Sequence, residues 1–336
     1  MKIFDKIGLA YCLIFSFISC DQPDIIDVPE HPKKLVAFVV GVSKNHELPY
    51  GKFRKGWTSD IGLSLGVLDI YCRSQDKNIS PVMSLSNQSD QIVARSEDMY
   101  VDICSYRYYM DSLLLPEGGV TYHLDVSDTD FGELKSSYTH PDMVSFEIHS
   151  IEHAGKGVYD EDGDGAFIEE GNFYDLIIEI DDPHETNYYE LDLEYTINSP
   201  GYSGSYRIDF DFVGQHQSYS KDLFGSNEGR NLNDVAFNGE RHKLLIKIFV
   251  SDFSFQNMKE FGPSESMVFS VLLRNYSPEL YRYYEETYLQ SLSEQDPNGA
   301  PMPVQTNIEG GFGVFGGYAE NLQSIEVDLV ELAEEK

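Results

Sequence analysis

The chain has 336 residues, 41% of them hydrophobic, and 57 acidic side chains against 24 basic ones give a formal net charge of −33 at pH 7. Length and apolar content allow two cores, while a field this negative repels phosphate backbones and argues against nucleic acid as a partner. It favours cations, basic peptides or plain solubility.

Lys2 and Lys6 open the chain, and an apolar run follows from Ile7 to Ile18. The run is shorter than the ~20 residues of a membrane-spanning helix and suits the core of a signal peptide over residues 1–19. It ends on Ile18-Ser19-Cys20, an aliphatic residue, a small residue and a cysteine. That is a lipobox pattern, so Cys20 is the expected lipidation site and the first residue of the mature protein. Acyl chains that bury methylenes at ~0.8 kcal/mol each would hold the protein on a membrane. Residues 20–33 carry three prolines and four acids with no hydrophobic period, as suits an acidic extended tether.

From Lys34 the pattern becomes β. Leu35 to Val40 is a continuous apolar run fit for a central strand, and Ile61 to Cys72 and Met99 to Cys104 are strand-like. Val120, Tyr122, Leu124 and Val126 alternate with Thr121, His123 and Asp125, the mark of a half-buried strand. Further on, Val144–Ile148, Leu176–Ile180, Tyr189–Ile197, Tyr206–Phe212, Leu244–Val250, Val268–Leu273 and Ile325–Leu329 repeat the habit. Their alternate positions are largely acidic (Glu190, Asp192, Glu194, Asp209, Asp211, Glu326, Asp328), which reads as a solvated face. One helix interrupts the strands near 278–294. Ser277 is its N-cap, Pro278 its first residue, and Leu280, Tyr284, Tyr288 and Leu292 form its apolar stripe. The expected fold is all-β. It comprises an N-terminal immunoglobulin- or transthyretin-like sandwich over 34–140 and a larger C-terminal β-sandwich over 141–336 that carries the helix.

With Cys12 in the signal and Cys20 acylated, Cys72 and Cys104 remain. In an oxidising compartment they either form a disulfide or stand as two buried thiols. Asp160, Asp162 and Asp164 followed by Gly165 reproduce the first half of a Ca²⁺ loop, with the carbonyl of Ala166 and the carboxylate of Glu170 as further ligands. The twelfth position is Gly171 rather than Glu, so a solvated acidic hairpin loop is the competing reading. Trp57, Tyr106 and Tyr108, near the basic stretch Lys52–Lys55, offer a docking surface or are ordinary half-buried aromatics. No H-E-x-x-H occurs and no catalytic residue is assigned, so no enzyme is expected.

Beyond the helix, Asn307 to Tyr318 packs Gly310, Gly311, Gly313, Gly316 and Gly317 among Asn307, Glu309, Phe315 and Tyr318. Such a run suits a strand whose backbone lies close against another element. With this run, the lipobox at Cys20, the strand Leu35–Val40, Leu115–Leu124, Asp181-Asp182-Pro183 leading to Asn187-Tyr188-Tyr189, and Asp222-Leu223-Phe224, the chain resembles the Bacteroidetes outer-membrane lipoproteins grouped as "domain of unknown function 4249". The acids behind Cys20 resemble the surface-export signal of such lipoproteins. The resemblance implies an accessory of a TonB-dependent outer-membrane receptor in nutrient uptake, with no catalytic residues to carry over. The expected function is therefore a non-enzymatic, lipid-anchored component, at the cell surface, that captures or admits a nutrient. The alternative is a Ca²⁺-stabilised surface module or adhesin that recognises a glycan or peptide.

Overall fold

The computed structural model describes residues 34–45, 56–63, 82–95, 99–101, 106–109, 115–160, 168–199, 202–208, 210–213, 219–221, 230–234, 237–251, 266–295 and 302–328. The all-β expectation holds. In chain order the strands begin with β1 (Leu35–Lys44), β2 (Gly56–Leu63), β3 (Val82–Asn87), β4 (Ile92–Arg95), β5 (Met99–Val101) and β6 (Tyr106–Tyr109). Then come β7 (Thr121–Asp128), β8 (Gly132–Thr139), β9 (Ser145–Asp160), β10 (Ile168–Asp181), β11 (Tyr188–Ser199) and β12 (Tyr202–Arg207). The last are β13 (Phe210–Phe212), β14 (Tyr219–Lys221), β15 (Arg230–Asn233), β16 (Arg241–Ser251), β17 (Ser266–Tyr276) and β18 (Phe312–Asp328). A single helix among the described residues, α1 (Pro278–Gln295), precedes β18. No helix among them is long and apolar enough to cross a membrane.

One ten-stranded sheet runs β14-β15-β11-β17-β18-β1-β2-β6-β5, with β12 also on β11. Two four-stranded sheets, β13-β16-β10-β9 and β4-β3-β7-β8, complete the fold. The seam of the large sheet is a parallel pair, with Val36 opposite Phe312 and Val42 opposite Tyr318. The long strand β18 therefore gives its first half to β1 and its second half to β17 in antiparallel register.

Side-chain alternation shows how the layers stack. Leu35, Ala37, Val39 and Phe315 point from one face of the large sheet into a core with Leu85, Leu124, Leu134 and Tyr138 of the β4-β3-β7-β8 sheet. The same face, farther along, carries Leu191, Leu193, Phe269 and Val271 into a second core with Leu176, Ile178, Ile246 and Ile248 of the β13-β16-β10-β9 sheet. The two small sheets thus lie side by side on one face, and α1 packs on the other against Val40, Val42, Val314 and Tyr318. The two cores fall either side of the expected boundary at residue 140. The sheet that backs both of them is continuous across it, and the first core takes Ile308 and Phe315 from the far end of the chain.

The helix begins as its sequence dictates, with Leu280 N donating to Ser277 Oγ at 3.4 Å. Leu280 is buried and Tyr284 and Tyr288 pack on its core, but Leu292 is exposed. A four-residue step overshoots the helical turn by about 40° each time, so the stripe rotates off the sheet by its fourth member. The acidic positions correct the sequence reading more strongly. Glu190 and Asp192 are not solvated: they are 4% and 2% exposed. Period-two alternation marks the two faces of a strand but not what covers the second one.

Candidate functional site

The glycine-rich run builds the seam between β18 and β1. Asn307 acts as a one-residue strand, its Nδ2 donating to Phe315 O at 2.7 Å and its Oδ1 accepting Phe315 N at 2.9 Å. Glu309 exchanges both main-chain bonds with Lys135 of β8, at 2.8 and 3.1 Å. Gly313 has φ +110°, and a Cβ there would run into the carbonyl oxygen of Ala37. Gly310 and Gly311 approach the carbonyls of Glu133 and Leu35. A Cβ on Gly316 would sit 2.8 Å from Ser277 Oγ, and one on Gly317 would sit 2.6 Å from Tyr138 Oη. Phe315 fills the first core and Tyr318 lies beneath α1. The signature is thus a packing device, whose absent side chains let β1, β8 and α1 close on β18.

The same run forms one wall of an open groove of about 590 Å³ on the outer face of the β4-β3-β7-β8 sheet. Register places Ser86, His123 and Ser137 in one row across β3, β7 and β8, with Asp125 opposite Lys135 in the next. Asn307 and Glu309 close one side and Asp90 lies on another. Asp90 holds φ +57° in a turn where its N–H reaches Asn87 O at 2.9 Å. The Lys135 ammonium lies 3.3 Å from Glu133, both well exposed, so the pair leaves it available to a ligand at little cost. Hydroxyls, an imidazole, an ammonium and carboxylates, without an aromatic among them, suit a small polar molecule held by hydrogen bonds.

Behind this sheet lies an arrangement that resembles a nucleophile and its base. Ser43 Oγ is 2.8 Å from His140 Nε2, and His140 Nδ1 is 3.0 Å from Tyr138 Oη. Burial holds the imidazole neutral, lowering its pKa to about 3. Burial also pushes the Tyr138 phenol well up, so that group keeps its proton. The neutral ring carries its proton on one nitrogen and accepts on the other, and a phenol and a serine hydroxyl can each serve either tautomer. The string is a buried hydrogen-bond relay between β1 and β8.

On the opposite face of the large sheet, register aligns Asn231, Glu190, Arg274, Glu320 and Lys44 in one line across five strands. Arg274 reaches Glu320 at 2.6 Å, Glu190 at 3.1 Å and Asp192 at 3.5 Å, and Glu190 also accepts the Tyr276 hydroxyl. Burial opposes the guanidinium charge, but Glu190 and the neighbouring acids outweigh it and hold Arg274 firmly charged.

The description "Domain of unknown function (DUF4249)" matches residues 74–324. The chain belongs to this family. No curated protein matches it. Among solved structures, two of the major pilin RrgB from Streptococcus pneumoniae share 8% identity with this DUF4249 chain, at TM-scores of 0.19 and 0.20. They cover 71% and 88% of it, and it spans 48% and 59% of the pilin chains. Overlaps at that level carry no argument about fold or function.

Of the residues read from the sequence of this DUF4249 protein, Trp57 needs correction. It is 4% exposed and packs edge-on against Tyr122 at 4.6 Å, so it belongs to the first core and is no docking surface. The alternation that exposes one face of a strand was hidden for Trp57 by the glycines and charges around it. Tyr106 and Tyr108 lie in β6, paired to β2, and their side chains fall outside the described residues. Cys20, Cys72, Cys104, Asp162, Asp164 and Ala166 also lie outside them. Asp160 and Ile168 pair at the mouth of the β9–β10 hairpin, and Glu170 is exposed beside it. Sequence reasoning missed His140, Arg274 and the groove. Only the pairing of distant strands brings their partners together.

Proposed function

We propose that this protein is a non-enzymatic, lipid-anchored outer-membrane protein that captures a small polar nutrient for a TonB-dependent receptor. The observation that carries the reading is the apolar run ending at Ile18-Ser19-Cys20, followed by the acidic tether, in a chain of the DUF4249 family. Residues 20–33 can extend no farther than about 50 Å, so the β body stays near the bilayer. The open groove with His123 and Lys135 on its floor supports capture rather than catalysis. Gentle detergent extraction of the native membrane tests this. An outer-membrane barrel should co-purify with the wild type, and Cys20→Ala should release the protein into the soluble fraction. Membrane retention of Cys20→Ala together with no barrel partner would sink the proposal.

A second reading, a surface module for a glycan or peptide stabilised by Ca²⁺ at Asp160, Asp162, Asp164, Ala166 and Glu170, draws on the hairpin that brings Asp160 and Glu170 to one end of β9 and β10. Ligand binding by the released soluble protein, without a barrel in the extract, would favour it.

A further inference from the structure

Side chains from three separate elements meet where β10 hands over to β11. Asp234, just after β15, accepts the Asn187 main-chain N–H on Oδ2 at 2.7 Å. Asn275 of β17 donates Nδ2 to Asn187 Oδ1 and to the Asp142 carbonyl, both at 3.1 Å. Two acceptors on one side fix that amide: the nitrogen faces them, and Oδ1 is the atom left over. Asn187 is fixed as well, its Nδ2 lying 2.6 Å from the Glu185 carbonyl.

The two remaining oxygens, Asp234 Oδ1 and Asn275 Oδ1, have no hydrogen-bond donor among the described residues. Yet Asp234 is 1% and Asn275 3% exposed. A second buried carboxylate, Asp182, lies close enough to Asp234 to feel its charge. Asp182 accepts the Tyr189 hydroxyl on Oδ1 and the Gly239 N–H on Oδ2 at 2.8 Å. Burial, and then the charge of Asp234, raise the pKa of Asp182, and burial raises that of Asp234 itself. Buried acceptors without donors are costly, and what these oxygens share is a need for a donor or a cation.

We propose that this junction binds a hard divalent cation, Ca²⁺, through Asp234 Oδ1 and Asn275 Oδ1, with Asp182 as the second carboxylate. All the offered ligands are oxygen, two of them from carboxylates and one from a neutral amide, which matches calcium rather than a thiolate- or imidazole-seeking metal. The site ties β10, β11, β15 and β17 together at one end of the large sheet. It accounts for Asp182 and Asn187 in the stretch Asp181–Tyr189, and it is separate from the acidic loop at 160–166. The competing occupant is a buried water that donates to both oxygens.

The test uses the full chain and separates the two acidic regions. In Asp162→Ala, calorimetric titration should still detect Ca²⁺ with a Kd of about 10⁻⁴ M. The melting temperature of that variant should rise by about 5 °C at 100-fold excess over Kd. Adding Asp234→Asn should weaken that binding at least tenfold. Tb³⁺ emission excited through tyrosine, measured in Asp162→Ala, gives a readout that does not depend on Asp234→Asn folding. It should be displaced by Ca²⁺ and fall at least twofold in Tyr189→Phe. If Asp162→Ala shows neither heat nor a melting shift, or if Tyr189→Phe leaves the Tb³⁺ signal unchanged, the junction holds water and the inference is overturned.

Discussion

A single buried imidazole gives this protein a specific acid sensitivity. His140 is neutral in the fold because burial lowers its pKa from 6.5 to about 3, whereas in the unfolded chain it charges below about pH 6.5. The lowered folded value means that stability is fully present above pH 6.5 and is lost as pH falls toward 3. In that window the unfolded state binds one more proton than the native state, which removes about 1.4 kcal/mol per pH unit. Gln at this position keeps polar contact with Ser43 and Tyr138 but does not titrate. Urea unfolding between pH 4 and pH 8 should therefore give parallel profiles above pH 6.5 for wild type and His140→Gln. Below it, the wild type should fall more steeply by about that slope. Parallel profiles throughout would mean that His140 reaches solvent in the native state. The residue was not legible in the sequence: Thr139-His140-Pro141-Asp142 reads as a polar boundary. It is buried only because β1 and β18 close over the end of β8, and Gly41 and Gly317 make room for Tyr138 beside it.

At the scale of elements, the strands and the helix were largely readable and their second faces were not. Ser277, Pro278 and Leu280 marked the start of α1, and the alternating runs from Val120 onward form or enter strands, except that Tyr206–Phe212 is divided between β12 on the large sheet and β13 on a small one. The bulges at His149 and Ala154, where β9 carries an extra residue against β10, left no such mark. They twist a 16-residue edge strand and break up the regular hydrogen-bonding edge that another chain would pair with. The acidic positions of β11 were misread for a related reason: nothing local to Tyr189–Tyr195 says that Arg274 stands on the neighbouring strand. Removing the guanidinium leaves Glu190, Asp192 and Glu320 buried without the cation they share, a change that costs about 3–5 kcal/mol. Arg274→Met should lose that much in urea unfolding. Glu320→Gln in the same background should recover about 1–2 kcal/mol, because it removes one of the stranded charges. If the two substitutions are additive within about 0.5 kcal/mol, the network is a set of independent surface-like pairs.

At the scale of the whole molecule, local pattern suggested two bodies, and long-range pairing makes one sheet of them. The strand Leu35–Lys44 has β2 on one side and β18 on the other, and its parallel partner comes from residues 312–320. Parallel pairing across so long a stretch of chain has no short turn to announce it, so the periodicity of either half reads as a self-sufficient sandwich. The glycines of the signature were the one visible sign that a backbone must approach closely there, though not which backbone. Removing everything after residue 140 would strip β1 of β18 along its whole length and take Ile308 and Phe315 out of the first core. A strand meant for the middle of a sheet would become an exposed apolar edge, which aggregates rather than folds. A fragment of residues 34–140 should accordingly show no cooperative unfolding transition and no slowly exchanging amides in β1. The chain from residue 20 to 336 should unfold with strongly protected amides in β1 and β18 that open together. Hydrogen exchange read by mass spectrometry measures both. A fragment with a sharp transition and native protection in β1 would show that the first core stands alone, and that the shared sheet is only a contact between two independent domains.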